Sequence, residues 1–171
     1  SNTFIFKNDH HKLTLYYQPV VYDTDESSVN GIGLIRNNSI PVFTGDNDDN
    51  RAGGHYYSPD YLIKVENSST VRYLILDAKF SDFVCVRRHH VKDLAFKYLF
   101  SMSPIRSTES IAGLCLVYGK CDASEQMQSA YDKRLPGQQI MPATELLPLI
   151  EGVANEGHYS KLDTLMRIVN I

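Results

Sequence analysis

The chain has 171 residues, of which 43% are apolar, 11% aromatic and 22% charged, with a formal net charge of −3 at pH 7. Eleven Tyr and seven Phe within ordinary apolar content exclude a disordered chain, and the mild acidity excludes a general nucleic-acid coat, so any nucleic-acid contact has to come from a local patch. No uncharged apolar run reaches the roughly 18 residues of a membrane span, and no basic-then-apolar leader opens the chain, so the expectation is a cytoplasmic protein with no membrane partner.

The length fits one domain over 1–171, expected to be the C-terminal part of a longer protein. Three cysteines, Cys85, Cys115 and Cys121, with no Cys-x-x-Cys spacing, argue against a disulfide framework and a structural zinc site. Cys85 and Cys115 sit within apolar runs and are expected to be buried thiols.

In chain order, Leu13 to Tyr22 is rich in β-branched and aromatic residues, is broken by Pro19, and reads as a strand at or near a sheet edge. Gly31 to Arg36 reads as a short strand, and Asn37 to Gly54 as a long polar loop. Tyr56 to Glu66 and Val71 to Val86, joined through Asn67-Ser68-Ser69, read as a hairpin. The continuous run Tyr73-Leu74-Ile75-Leu76 predicts a strand covered on both faces, as does Ile111 to Tyr118.

Between those two buried strands, Val91, Leu94, Ala95, Tyr98, Leu99 and Met102 form one helical stripe, with Pro104 as its stop. A last helix is predicted from about Lys161 to Val169, with Ser160 and Asp163 as a capping box and Leu162, Leu165, Met166 and Val169 on one face. Strand, crossover helix and strand together predict an α/β sheet.

The chemistry-bearing residues are two acids and a lysine on the hairpin. Asp60 follows Pro59 at the start of one strand, and Asp77 and Lys79 follow the apolar run of the other. Side chains two apart on a strand share a face, so Asp77 and Lys79 project together. The midpoint between 60 and 77 falls inside the Asn67-Ser68-Ser69 turn, so antiparallel pairing sets Asp60 nearly opposite Asp77. Two carboxylates beside an amine make a hard-cation site suited to Mg²⁺, with Mn²⁺ as a substitute. The spacing equally admits a same-face Asp77–Lys79 ion pair at a strand end.

Ser58-Pro59-Asp60, followed after sixteen residues by Asp77-Ala78-Lys79, resembles the PD-(D/E)xK signature of the restriction-endonuclease-like nuclease superfamily. The resemblance implies a mixed central sheet flanked by helices. It also implies Mg²⁺ held by Asp60, Asp77 and the Ala78 carbonyl, with Lys79 serving the attacking water in hydrolysis of DNA phosphodiesters. A closer resemblance is to the uncharacterised, restriction-associated branch related to nuclease subunits of modification-dependent restriction systems. It is carried by Leu15-Tyr16-Tyr17-Gln18-Pro19 before the PD strand and Val91 to Tyr98 after the xK strand. That likeness implies a defence role, and a partner subunit or upstream domain that supplies specificity. It spans roughly residues 13 to 120 and is loose outside the signature.

One departure concerns a glutamate that many members carry on a helix before the first core strand. The early glutamate here, Glu26, sits in a polar, turn-like segment. This departure keeps open a non-catalytic module of the same fold that binds DNA or a partner subunit. An unrelated α/β binding domain with an accidental motif also stays open.

Weaker signals complete the reading. Arg87-Arg88-His89-His90, with Lys92, is the densest basic cluster and reads as a connector after the signature strand, with Arg87 and Arg88 as candidate DNA contacts. Lys97 and Tyr98 can approach DNA from the crossover helix, with core packing as the default for Tyr98. Asp46, Asp48 and Asn50 imitate the start of a calcium loop, but Arg51 and Tyr57 stand where its glycine and glutamate belong. His55 reads as a loop histidine, and no Walker A, G-x-S-x-G or G-x-G-x-x-G sequence is present.

Overall fold

The computed structural model describes residues 2–23, 31–37, 56–120, 126–132, 135, 138, 140–149, 163 and 165–169. Glu26, Asp46, Asp48, Asn50, Arg51, His55, Cys121, Ser160, Lys161 and Leu162 lie outside the described residues.

The central hairpin is β6 (Tyr61–Glu66) with β7 (Val71–Asp82). Asn67 builds its turn: the side-chain oxygen accepts from the Thr70 N–H at 2.7 Å and the Ser69 N–H at 3.0 Å, and the Asn67 N–H donates to the Thr70 carbonyl at 3.0 Å. That turn fixes the antiparallel register, from Glu66 opposite Val71 to Tyr61 opposite Leu76. Outward from β6 lie β2 (Lys12–Tyr17) and then β1 (Asn2–Lys7), each antiparallel to its neighbour. The Leu13 strand is therefore interior, not an edge: β1 covers it, while Pro19, which would interrupt pairing, falls after β2 has ended.

On the other side β7 pairs parallel with β9 (Glu109–Lys120), and β9 parallel with β11 (Ala143–Pro148), which carries the short antiparallel β10 (Gln128–Ser129). Among the described residues the main sheet is thus seven-stranded and mixed, and the chain is α/β. Two small antiparallel pairs complete the described strands: β3 (Val21–Tyr22) with β5 (Tyr56–Tyr57), and β4 (Leu34–Arg36) with β8 (Met102–Pro104).

The parallel β7–β9 pair requires a crossover, and helix α1 (83–100) supplies it in four consecutive stretches. Phe83–Cys85 and Val91–Ala95 are α-wound, while Val86–His90 and Phe96–Phe100 are π-wound. Asp82 starts the helix by accepting from the Cys85 N–H at 2.8 Å. The strand therefore ends at Asp82 instead of running to Val86, and Cys85 is half-buried while Cys115 is fully buried. The helix ends at Phe100, where the Ser101 N–H and hydroxyl both donate to the Phe96 carbonyl at 3.0 Å. Pro104 is not the stop; it belongs to β8. The hairpin's first arm is also divided, because β5 pairs with β3 and β6 begins only after Pro59, which has no N–H to give a ladder.

Two apolar layers flank the sheet. On one face Tyr16, Leu62, Tyr73, Ile75, Leu114 and Leu116 meet Val86, Val91, Leu94 and Tyr98 of α1. On the other, Val65, Leu74, Ala112, Cys115 and Leu147 meet Leu165 and Val169 around the helical residues 163 and 165–168 (α2). Each fully buried Leu or Ile in these layers contributes about 1.5–3 kcal/mol. No helix among the described residues is long and apolar enough to cross a membrane.

Candidate active site

The even alternation of β7 decides what Asp77 faces. Tyr73 and Ile75 point into the α1 layer, so Asp77 and Lys79 follow on that face. Asp77 is only 4% exposed. A carboxylate that deep costs several kcal/mol unless partners replace its water. Two do: Lys79 Nζ pairs with Asp77 Oδ1, and the Tyr98 hydroxyl donates to Asp77 Oδ2 at 2.9 Å. Burial first, and then the charges of Asp77 and Asp60, push the Tyr98 hydroxyl well above its ordinary range, which keeps its proton available as that donor. The Ser58 carbonyl lies 3.4 Å from the same hydroxyl.

One step beyond Tyr61 opposite Leu76, the register sets Asp60 opposite Asp77, as the spacing predicted. The Asp60 Oδ2 accepts from the Ala78 N–H at 2.7 Å, and its main-chain carbonyl accepts from the Gln18 N–H at 2.8 Å. Gln18 itself has φ 47°, a left-handed backbone that turns the chain out of β2 beside Asp60. Asp60 therefore lies against the peptide joining Asp77 to Ala78. In an extended strand the N–H and C=O of one residue point to the same neighbouring strand, so the Ala78 carbonyl is directed to the Asp60 side as well.

The donor set is two carboxylates and one carbonyl, all hard oxygen, with a lysine on the same face. Among the described residues no group of three or more His, Cys, Asp and Glu forms a metal cage. A site of two carboxylates and one carbonyl, completed by water, matches the way Mg²⁺ is held with few protein ligands. Each Asp77 oxygen keeps a second acceptor position beyond those used by Lys79 and Tyr98.

Arg87 and Arg88 are not in a connector. Both are exposed on the first half of α1, where Arg87 pairs with Asp132 at 2.9 Å and sits 6.0 Å from the Phe83 ring centre. The residue whose role the sequence reading missed is Tyr98, assigned to the apolar stripe by its spacing. Its signal was the hydroxyl: a tyrosine at a fully buried position needs a polar partner, and Asp77 lies on the facing strand.

Compared with known proteins, the chain matches no protein-family model and no curated protein.

Proposed function

We propose that this chain is a Mg²⁺-dependent endodeoxyribonuclease domain of the restriction-endonuclease-like fold, acting in the cytoplasm in defence against foreign DNA. The supporting observation is that Asp60 bonds the Ala78 N–H while Asp77 and Lys79 share the adjoining face, so both acids and the lysine meet around one peptide unit. Asp60, Asp77 and the Ala78 carbonyl would hold Mg²⁺ or Mn²⁺. When bound, the metal acidifies a water and offsets charge on the phosphate.

The remaining work belongs to the chain. Tyr98 fixes Asp77 through its hydroxyl. The Ala78 N–H fixes Asp60. The Lys79 ammonium, with three donors, orients the attacking water and stabilises negative charge growing on the phosphate oxygens. A partner subunit or upstream domain would supply sequence specificity.

One observation favours a second reading, a non-catalytic module of the same fold that binds DNA or a partner. Both Asp77 oxygens already have partners, Lys79 and Tyr98, which is what an ion pair kept for structure would show. Cleavage separates the two. Supercoiled plasmid and linear DNA are incubated with the chain and Mg²⁺, Mn²⁺ or EDTA, beside Lys79→Ala and Asp77→Asn. The nuclease reading expects metal-dependent nicking that both substitutions reduce by at least about 10²-fold, the scale of losing one electrostatic contributor. Absence of cleavage by the unaltered chain under every metal rejects it in favour of the second reading.

A further inference from the structure

We infer that β1 is a dimerisation edge, which takes the β1 of a second copy of this chain in antiparallel pairing, with Ile5 opposite Ile5 on the two-fold axis. The inference stands apart from the nuclease reading.

β1 lies at one end of the main sheet, with β2 on one side and, among the described residues, no strand on the other. All six of its residues are exposed, Phe4 at 52%, Ile5 at 55% and Phe6 at 60%. Edge strands that stay unpaired carry charges, proline or a bulge to block a further strand. β1 has one charge, Lys7 at its end, no proline, and an unbroken register with β2.

The turn between β1 and β2 sets which backbone groups are open. The Asn8 N–H donates to the His11 carbonyl at 3.0 Å, so those two residues form a hydrogen-bonded pair. Such pairs recur at every second residue of an antiparallel ladder. Phe6, Phe4 and Asn2 are therefore bonded to β2, opposite Leu13, Leu15 and Tyr17. The bond from the Gln18 N–H to the Asp60 carbonyl, on the other edge of β2, gives the same phase. Thr3, Ile5 and Lys7 are left with their N–H and C=O groups directed out of the sheet.

That row is complementary to itself. Antiparallel pairing sets Thr3, Ile5 and Lys7 against Lys7, Ile5 and Thr3 of the second copy, so all three residues of each copy can bond in both directions. The same register sets each Phe4 opposite Phe6 of the second copy, at the non-bonded positions where Cα atoms approach to about 4.5 Å and aromatic pairs pack best. A shift by two residues puts one Phe of each copy opposite Asn2 or Asn8 instead. Charge selects the direction. Antiparallel strands hold the two Lys7 residues about 13 Å apart along the joint, beyond the screening length of about 8 Å, whereas an in-register parallel pair sets them side by side.

Phe4 and Phe6 stand on the α2 side of the sheet, in rows with Leu15 and Ile63 and with Leu13 and Val65. Four rings thus carry that apolar layer across the joint, while the two Ile5 side chains meet on the α1 side. Phe4 and Phe6 expose roughly 220 Å² of side chain per copy. With Ile5, Thr3, Lys7 and the peptide edge, two copies bring together on the order of 1,000 Å², the lower end for a specific interface. The dimer is therefore reversible, and concentration sets its population. Because opposed residues share a face, both α1 layers lie on one side of the joined sheet.

Sedimentation velocity of the full chain, over about a hundredfold range of concentration under reducing conditions, reads the dimer. The unaltered chain should pass from monomer to dimer. Phe4→Thr with Phe6→Thr keeps strand propensity and should raise the dissociation constant at least about tenfold, the scale of losing one interface anchor. Ile5→Pro removes an outward N–H that β2 does not use and should abolish the dimer. Far-UV circular dichroism should be unchanged in both. Mild oxidation reads the register, because a hydrogen-bonded pair has Cα atoms about 5.5 Å apart, within disulfide reach. Ile5→Cys should give a disulfide-linked dimer, whereas Thr3→Cys, on the same edge but about 13 Å from its own copy, should give no more than the unaltered chain.

A chain that stays monomeric throughout overturns the inference and leaves the edge to a strand of another protein or another part of a longer chain. A dimer that survives both edge variants, with no linkage through Ile5→Cys, overturns it as well, since the contact then lies elsewhere. Equal linkage through Thr3→Cys and Ile5→Cys overturns the two-fold register.

Discussion

A carboxylate that is 4% exposed is stable only as part of a set, and at Asp77 the set is Lys79 and Tyr98. Removing the Tyr98 hydroxyl leaves Asp77 Oδ2 without its donor while the ring still fills its place between α1 and the sheet. Tyr98→Phe should therefore lower unfolding stability by about 1–3 kcal/mol, the cost of a buried acceptor left unpaired, with the helix content intact. Urea titration followed by far-UV circular dichroism at pH 7 measures it, and a midpoint equal to that of the unaltered chain would refute the buried bond. At this scale the sequence disclosed the opposition of Asp60 and Asp77, because an antiparallel register follows from where its turn lies and Asn67 marks that turn. It did not disclose the Tyr98 bond. Periodicity assigns a residue to a face, and what its hydroxyl meets depends on a strand twenty-one residues away.

Elements were legible where one local signal dominated and were misread where two competed. Phe83, Val84, Cys85 and Val86 all favour strand, and they extended β7 in the reading from sequence; in the fold Asp82 caps a helix over them. An N-cap outweighs these weak propensities because it satisfies a backbone donor that would otherwise be orphaned. Asp82→Ala should cost about 1 kcal/mol, and Asp82→Ser should recover most of it, since both Asp and Ser accept the same bond. Thermal unfolding of the pair measures the difference, and equal losses in the two variants would show that the cap does not define the helix start. β1 escaped notice for another reason. Its Phe4, Ile5 and Phe6 are exposed, so no burial pattern announces it, and it exists through its antiparallel ladder to β2.

Across the whole molecule the two layers bury acidic protons as well as apolar surface. Tyr16, Tyr73 and Tyr98 lie in the α1 layer and Cys115 in the α2 layer. The long-range pairing that creates the second layer is the part least visible in the sequence: β11 joins β9 in parallel, and at Gly113 a side chain would meet the Ala143 carbonyl at 2.6 Å. Burial drives all four protons upward in pKa. The Glu66 charge adds to it at Tyr16, the hydrogen bond to Glu109 at Tyr73, Asp77 at Tyr98 and the Glu145 charge at Cys115. The unfolded chain releases the same protons near the ordinary values of about 8.5 for Cys and about 10 for Tyr. Above those values the unfolded state binds fewer protons than the native one, so stability is fully present below them and falls as pH rises. The expected slope is about 1.4 kcal/mol per pH unit for Cys115 alone between pH 9 and 10, and it rises towards about three times that by about pH 11 as Tyr73 and Tyr98 join, with Tyr16 adding in the same direction. A domain at the lower end of ordinary stability, about 5 kcal/mol, then unfolds within one to two units beyond about pH 10. Urea midpoints from pH 7 to 11.5 under reducing conditions, with tyrosinate absorbance recorded alongside, test this. Loss of circular dichroism should coincide with the last tyrosines to ionise, and Tyr73→Phe should lower the steep slope by one proton's worth. A native fold that persists while every tyrosine ionises near pH 10 would mean that these hydroxyls are not held between the layers.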